Sequence, residues 1–339
     1  MFLDINAHLP INKKALKAYI KCSNSMAGHG HPSSLTKPSL KANKMLESAR
    51  EKIAELIGAK SSNQIIFTYG ASQSCKWGLK IFGEAYVSPI EHPAIKYLTE
   101  GYPLLYCDKD CNITLKEKSI CVHMQNETGT IQDFSKFKGK LFSDISQSLG
   151  KTKININEFD IAAAGGHKFG GPGGTGFLYL KNTDDWQPYE NYGYYLDRPG
   201  TPDVPGMVGM SIALEEALKS LDERLYNMKL FQTKIENMFE SYGLEIIAKN
   251  SNRSFSTSLI GGFKDSHKLL LELNKKGIYI GLGSACSSYN IEKSPLMDIL
   301  GKNYNINNII RISNWGNYGE KEADIFINIF KEIWTSLKL

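Results

Sequence analysis

The chain has 339 residues, with 40 Lys and Arg against 35 Asp and Glu and a net charge of +5. That length exceeds the size at which one hydrophobic core stops growing, so a large domain and a smaller one are expected. The charge is spread through alternating Lys, Glu and Asp without an arginine-rich run, and no apolar run reaches membrane-spanning length, so neither nucleic-acid binding nor membrane insertion is implied.

The start, Met1-Phe2-Leu3-Asp4-Ile5-Asn6, lacks the basic and apolar regions of a signal peptide, and the chain reads as cytoplasmic. Pro38 then opens a helix whose apolar residues Ala42, Leu46, Ala49, Ile53, Leu56 and Ile57 recur three or four apart, and Gly58 closes it. Gln64 to Thr68 reads as a strand, followed by a turn at Gly70 and a helix running through Ser74 to Phe82. Free N–H groups at such a helix start favour a phosphate dianion, and Ser72 adds a hydroxyl donor, although Ser is also a routine helix cap.

Further on come a strand at Tyr86 to Ser88, a helix from Pro93, and strands at Ile120 to Met124, Leu141-Phe142, Phe159 to Ala164 and Gly176 to Leu180. This alternation predicts an α/β fold with a mostly parallel sheet covered by helices, and ligands at the strand carboxyl ends. Val208 to Tyr242 reads as largely helical, with Leu214, Ala217, Leu218, Leu221 and Leu225 as its core stripe. Strands at Ser254 to Ile260, Gly277 to Leu282 and Ile309 to Ser313, with helices near His267 to Asn274 and from Glu320, predict a smaller α+β domain. The expected division is a large domain over 12–222 and a small one made of 1–11 and 223–339.

The chemistry concentrates where the strands end. Lys168 lies in Gly165-Gly166-His167-Lys168-Phe169-Gly170-Gly171-Pro172-Gly173-Gly174, where residues without a Cβ let a flat cofactor approach. Upstream, Leu141-Phe142-Ser143-Asp144 delivers Asp144 and then Gln147 to the same sheet edge. Pyridoxal phosphate needs both groups, a lysine to hold its aldehyde as an imine and a carboxylate to keep its ring nitrogen protonated. A solvated lysine in a plain turn and a strand-end aspartate bonded to backbone amides are the bland alternatives, and the phosphate-type helix start weighs against them together.

Six cysteines, Cys22, Cys75, Cys107, Cys111, Cys121 and Cys286, are too few in so long a chain for a disulfide framework. Cys107 and Cys111 are spaced like metal ligands, but no second Cys/His pair stands at zinc spacing, so they read as structural or surface thiols and no metal is expected. Cys286 differs. It sits in Gly281-Leu282-Gly283-Ser284-Ala285-Cys286-Ser287-Ser288, a run of small residues that suggests a flexible loop exposing the thiol.

Taken together, these motifs resemble the cysteine desulfurases of the class V aminotransferase group, fold type I of the pyridoxal phosphate enzymes. The resemblance runs nearly end to end: Phe2-Leu3-Asp4, His31-Pro32-Ser33-Ser34, Phe67-Thr68-Tyr69-Gly70-Ala71-Ser72, Ile90-Glu91-His92, Gln125-Asn126-Glu127-Thr128-Gly129, Asp144 with Gln147, Gly166-His167-Lys168, Arg198-Pro199-Gly200-Thr201, Ser284-Ala285-Cys286 and Ile310-Arg311-Ile312-Ser313.

The resemblance implies that Lys168 anchors the cofactor, Asp144 pairs with its ring nitrogen, Gln147 and Asn126 address its ring hydroxyl, and His92 stacks on the ring and moves protons. Ala71, Ser72 and His167 would hold the phosphate, joined by Thr201 from a neighbouring subunit, which implies a homodimer with shared sites. Arg311, with Asn126, would bind the carboxylate of L-cysteine. Cys286, activated by His31 or His92, would take the sulfur as a persulfide, leaving alanine, and pass it to an acceptor protein for iron–sulfur cluster, thio-cofactor or tRNA biosynthesis. The loop resembles the long-loop type.

Departures from the family pattern are Gly165 where Ser or Thr is usual, Ser72 for threonine, His31 for asparagine, and an atypical stretch from Trp186 to Leu196. The alternatives are another class V enzyme, such as an aminotransferase or selenocysteine lyase, and a catalytically idle partner-binding relative.

Overall fold

The computed structural model describes residues 1–184, 202–283, 295–301, 304–305 and 307–337. The first helix, α1 (Lys13–Ser23), begins where the Asn12 side chain accepts from the amides of Lys14 and Ala15 at 2.8 and 3.2 Å. Helix α2 (Lys37–Ile57) has the predicted periodicity, with Thr36 as its cap, Pro38 in its first turn and Gly58 closing it at φ 77°. Strand β1 (Ile65–Thr68), α3 (Ala71–Phe82), β2 (Tyr86–Val87) and the single turn α4 (Pro93–Lys96) follow. Next come a hairpin of β3 (Tyr106–Cys107) and β4 (Ile113–Thr114), then β5 (Lys118–Ile120), β6 (Lys140–Asp144), β7 (Ile161–Gly165) and β8 (Gly176–Leu180).

The larger sheet has the order β1-β8-β7-β6-β5-β2. Strands β7, β6, β5 and β2 pair in parallel, whereas β8 runs antiparallel to both β7 and β1. Only residues 166–175 join β7 to β8. A parallel crossover needs about a dozen residues or more, so this short link obliges β8 to turn back. Side chains alternate between the two faces with the period of a strand. Ala162, Ala164, Phe177 and Tyr179 pack with Ala42, Leu46, Ala49 and Ile53 of α2, while Ile161, Ala163, Leu178 and Leu180 pack with Trp77, Leu79 and Phe82 of α3. Both faces are therefore apolar, and the strand ends are left to polar residues.

The remainder holds α5 (Val204–Lys219), α6 (Leu221–Ser241), β9 (Glu245–Ile246), β10 (Thr257–Gly261), α7 (Ser266–Lys275), α8 (Pro295–Leu300), β11 (Ile309–Ser313) and α9 (Glu320–Leu337). An antiparallel sheet in the order β11-β10-β9 shares a second core with α6, α7 and α9. Leu3 belongs to that core, and Phe2 and Asp4 bridge to Tyr279 and Ser313. The chain's beginning is thus tied to its end.

Four expectations need correction. The strand expected at Ile120 to Met124 lies earlier, as β5, and beyond Ile120 only Met124 bridges, to Ile131. The helical stretch Val208 to Tyr242 is two helices broken at Ser220, whose hydroxyl donates to the Glu216 carbonyl at 2.9 Å, and the first starts earlier, under the Asp203 cap. Gly277 to Leu282 makes only single bridges, Tyr279 to Phe2 and Gly281 to Arg311, because different partners flank successive residues. Ser254 to Ser256 precede β10 as a turn, with the hydroxyls of Ser254 and Ser256 bonded to each other at 2.8 Å.

Candidate active site

Asp144 ends β6, and β7, its parallel neighbour, ends at Gly165, with Asp144 aligned to Ala163. A tight turn, Gly166–Phe169, carries His167 and Lys168 away from the strand end. It closes at Gly170, whose φ of 88° is the left-handed region that only glycine enters at little cost. Lys168 then reaches the N-terminal segment, its Nζ donating to the carbonyls of Asn6 and Ala7 at 2.6 and 2.9 Å.

Asp144 is buried, and its Oδ1 accepts from the Ser146 amide at 2.8 Å. Gln147 donates through Nε2 to the Asn6 carbonyl at 3.0 Å, while its Oε1 accepts from Lys151. Lys151 was not anticipated from the sequence. It is fully buried, and its Nζ also donates to Asn6 Oδ1 at 2.8 Å. Burial, followed by the charges of Lys168, Arg311 and Arg224, pulls it well below the ordinary lysine range. The only sequence signal was its spacing, four residues after Gln147.

His92 caps α4, its Nδ1 accepting from the Ala94 amide at 3.2 Å. Burial lowers its pKa first, and the Lys168 charge adds to this against the opposing pull of Asp144. The ring is therefore neutral at neutral pH and carries its proton on Nε2. Burial first, and then the Asp144 charge, push the preceding Glu91 up to about 8, so Glu91 is mostly a neutral acid at neutral pH and does not compete with Asp144 for a cation.

The start of α3 has Gly70 as its cap residue and no capping side chain. A Cβ built on Gly165 would stand 3.1 Å from Ala71 Cβ, 3.4 Å from Ala71 N and 3.6 Å from His167 Cε1, so the free helix start, the glycine and the imidazole converge. His167 stacks on His8 at 5.5 Å with an interplanar angle of 16°. It is held down at about 4, by burial first and then by Lys168, His8, Lys151 and His92. Ser72 is exposed beside Ala71. His8 was also missed, because nothing near it in sequence marks it.

Arg311, on β11, is fully buried, with Nη2 on Asp4 Oδ1 at 2.6 Å and Nη1 on the Asn126 carbonyl at 3.2 Å. That carbonyl also accepts from Asn6 Nδ2 at 3.1 Å. Asn6 thus links Asn126, Gln147, Lys151 and Lys168 into one network. His31 is exposed on the turn before α2, with Nδ1 accepting from the Ser33 amide at 3.3 Å. Thr201 and Cys286 lie outside the described residues.

This donor set fits pyridoxal phosphate: an amine beside a carboxylate at adjacent strand ends, and an uncapped helix start facing an imidazole. Comparison with known proteins agrees. The family model for aminotransferase class V matches residues 1–97 and 110–325. A cysteine desulfurase IscS of Dictyoglomus turgidum is 30% identical over 88% of this chain and 85% of its own length. A cysteine desulfurase IscS of Methanosarcina thermophila is 26% identical over 100% and 93%. A solved structure described as a NifS-like protein superposes with a TM-score of 0.82 at 25% identity, covering 99% of both chains. The chain belongs to the class V aminotransferase family, and within it groups with the pyridoxal-phosphate-dependent cysteine desulfurases.

Proposed function

We propose that this chain converts L-cysteine to L-alanine and carries the sulfur away as a persulfide on Cys286. The observation that supports this most is the placing of Lys168 and Asp144 at neighbouring strand ends, beside the uncapped start of α3. Bound pyridoxal phosphate supplies an aldehyde that takes up an amine and a protonated ring that draws electron density from the amino acid's α-carbon.

The protein's residues divide the remaining work. Lys168, whose Nζ donates to the carbonyls of Asn6 and Ala7, would hold the cofactor's aldehyde, and its amine would serve as the base for the substrate's α-proton. Asp144 would pair with the ring nitrogen and keep it protonated. Lys151 occupies Gln147 Oε1, so Gln147 would offer Nε2, which also donates to the Asn6 carbonyl, to the ring hydroxyl, with Asn126 beside it. Ala71, Ser72 and His167 hold the phosphate. His92, with Nδ1 held by the Ala94 amide, would stack on the ring and move a proton at Nε2.

Arg311 binds the substrate carboxylate, a task suited to a planar fork of donors, with Asp4 and the Asn126 carbonyl fixing its plane. The Cys286 thiolate attacks the substrate sulfur. The carbon–sulfur bond breaks with its electrons left on the substrate carbon, which takes up protons to become alanine, and the enzyme keeps S–SH.

A homodimer in which Thr201 completes the neighbouring phosphate site, and a sulfur-acceptor protein in iron–sulfur cluster, thio-cofactor or tRNA biosynthesis, follow from the same family pattern. The cores on the two sheets favour a division into 12–222 and 1–11 with 223–339, and a further cluster joins Ile90 and Val122 to Leu259 and Ile309 across it. Among the described residues no helix is long and apolar enough to cross a membrane, in keeping with a cytoplasmic enzyme. The test is to give the cofactor-loaded protein L-cysteine and excess reductant. Alanine and sulfide should appear in equal amounts, and a fully loaded protein that yields neither contradicts the activity.

A further inference from the structure

The β3–β4 hairpin brings two cysteines together outside the catalytic network. Cys107 pairs with Ile113, and the loop between closes on itself: Asp108 N donates to the Asn112 carbonyl at 3.1 Å and Cys111 N to the Asp108 carbonyl at 3.0 Å. Asp108 Oδ1 accepts from the amides of Asp110 and Asn112, both at 2.9 Å. Within this loop Cys111 takes a left-handed φ of 64°, uncommon for a residue with a Cβ, and its side chain is buried with Ile90, Val122 and Leu259. Cys107 is half-buried, its Sγ donates to the Asp108 carbonyl at 3.5 Å, and the Cys111 thiol is its neighbour in the hairpin.

The two sulfurs are unequal. The neighbouring Cys111 thiol holds Cys107 below the ordinary thiol range, whereas Cys107 and burial push Cys111 up. An accessible nucleophile thus sits against a protonated, sheltered partner, the arrangement that lets a thiol be oxidised and then resolved. Cys107 lies in the stretch 98–109 that the family match omits, and Cys111 lies just inside the matched range.

The loop also touches the site. The Cys111 carbonyl accepts from Gln132 Nε2 at 2.7 Å, and Thr130 Oγ1 donates to the Asp110 carbonyl at 3.4 Å. Thr128 and Thr130 belong to the turn that holds Asn126, closed by Gln125 N on the Thr130 carbonyl at 2.9 Å.

We propose that Cys107 and Cys111 are a modification site, oxidised by a hydroperoxide to a disulfide within the hairpin, which shifts the Asn126 turn and weakens L-cysteine binding. The Cys107 thiolate attacks the peroxide oxygen, giving a sulfenic acid and an alcohol. The Cys111 sulfur then attacks Cys107 Sγ, forming the S–S bond and releasing water. The two thiols lose two electrons and two protons, which the peroxide takes up, and a dithiol reductant reverses the change. Closing the S–S bond draws the loop against its bonds to Gln132 and Thr130, which carry the change to the Asn126 turn.

The chemistry at Cys107 and Cys111 stands apart from the desulfurase activity, while its effect on binding rests on that reading. The test uses cofactor-loaded Cys286→Ala protein, treated with a hydroperoxide and digested after lysine. Lys109 separates the two cysteines, so the disulfide joins peptides 97–109 and 110–116 into one species that reductant splits. Oxidation should weaken L-cysteine binding, read from the cofactor's visible spectrum, by about fivefold or more, the lower end of typical coupling between sites. Cys107→Ser should keep the reduced protein's affinity and lose the response. Absence of the linked peptides overturns the site, and linked peptides with unchanged affinity overturn its effect on binding.

Discussion

Arg311 and Asp4, 307 positions apart in the chain, form an ion pair at 2.6 Å with the arginine wholly buried. The pair stands at the junction of the N-terminal segment with β11, and a Cβ on Gly281 would come within 2.8 Å of the Asp4 carboxylate and 3.2 Å of Arg311 Nη2. Gly281 is the space that lets the two meet. Breaking such a pair from one side costs about 3 kcal/mol or more, because the remaining charge is stranded. Asp4→Ala should therefore lower the urea stability of the holoenzyme by that amount. It should also raise KM for L-cysteine more than it lowers kcat, since Arg311 loses the plane that presents its fork. A variant with wild-type stability and KM would show that the arginine does not depend on Asp4.

Lys151 is predicted to matter through Gln147. Lys151→Met leaves Gln147 Oε1 and Asn6 Oδ1 without their donor, at about 1–3 kcal/mol for each buried group. The amide of Gln147 is then free to turn, and activity should fall with it. A double-mutant cycle with Gln147→Leu, read as kcat/KM, should give a coupling of about 1 kcal/mol or more. Strict additivity would place Lys151 outside the reaction.

His123 gives the fold an acid limit. Its ring lies among Phe134 and Phe159, burial lowers its pKa from 6.5 to about 4, and among the described residues its Nδ1 has no hydrogen-bond partner. Between these values the unfolded chain binds a proton that the folded chain refuses. The stability due to the neutral ring is thus complete above about pH 6.5 and is lost as pH falls toward 4, amounting to about 3 kcal/mol. Urea unfolding of the wild type and His123→Leu across this range should differ in slope, the variant being flatter. Parallel profiles would show that His123 takes up its proton without unfolding.

What the sequence revealed and concealed follows from the range of the interactions. Lys168 and Asp144 were legible because each is marked locally, by glycines or by an apolar strand, and the sheet then brings the two markers together. Lys151, Asn6 and His8 carry no such local mark. A lysine after Gln147 looks solvated until Asn6, 145 positions earlier, is folded over it. The β3–β4 hairpin escaped for a different reason: its strands are two residues each, too short to show alternation, and its shape comes from side-chain bonds to Asp108. The break at Ser220 and the single bridges of Gly277 to Leu282 likewise depend on competing partners rather than on apolar period.

The assignment of the sulfur to Cys286 is tested most directly by a single turnover. Cofactor-loaded protein is mixed with less than one equivalent of L-cysteine, without reductant, and the alanine released and the mass of the Cys286 peptide are measured together. The expected result is one extra sulfur atom on Cys286 for each alanine formed, with alanine formation collapsing in Cys286→Ala while the spectral response to L-cysteine survives. Alanine released at the normal rate with Cys286 unmodified, or by the Cys286→Ala protein, would contradict it.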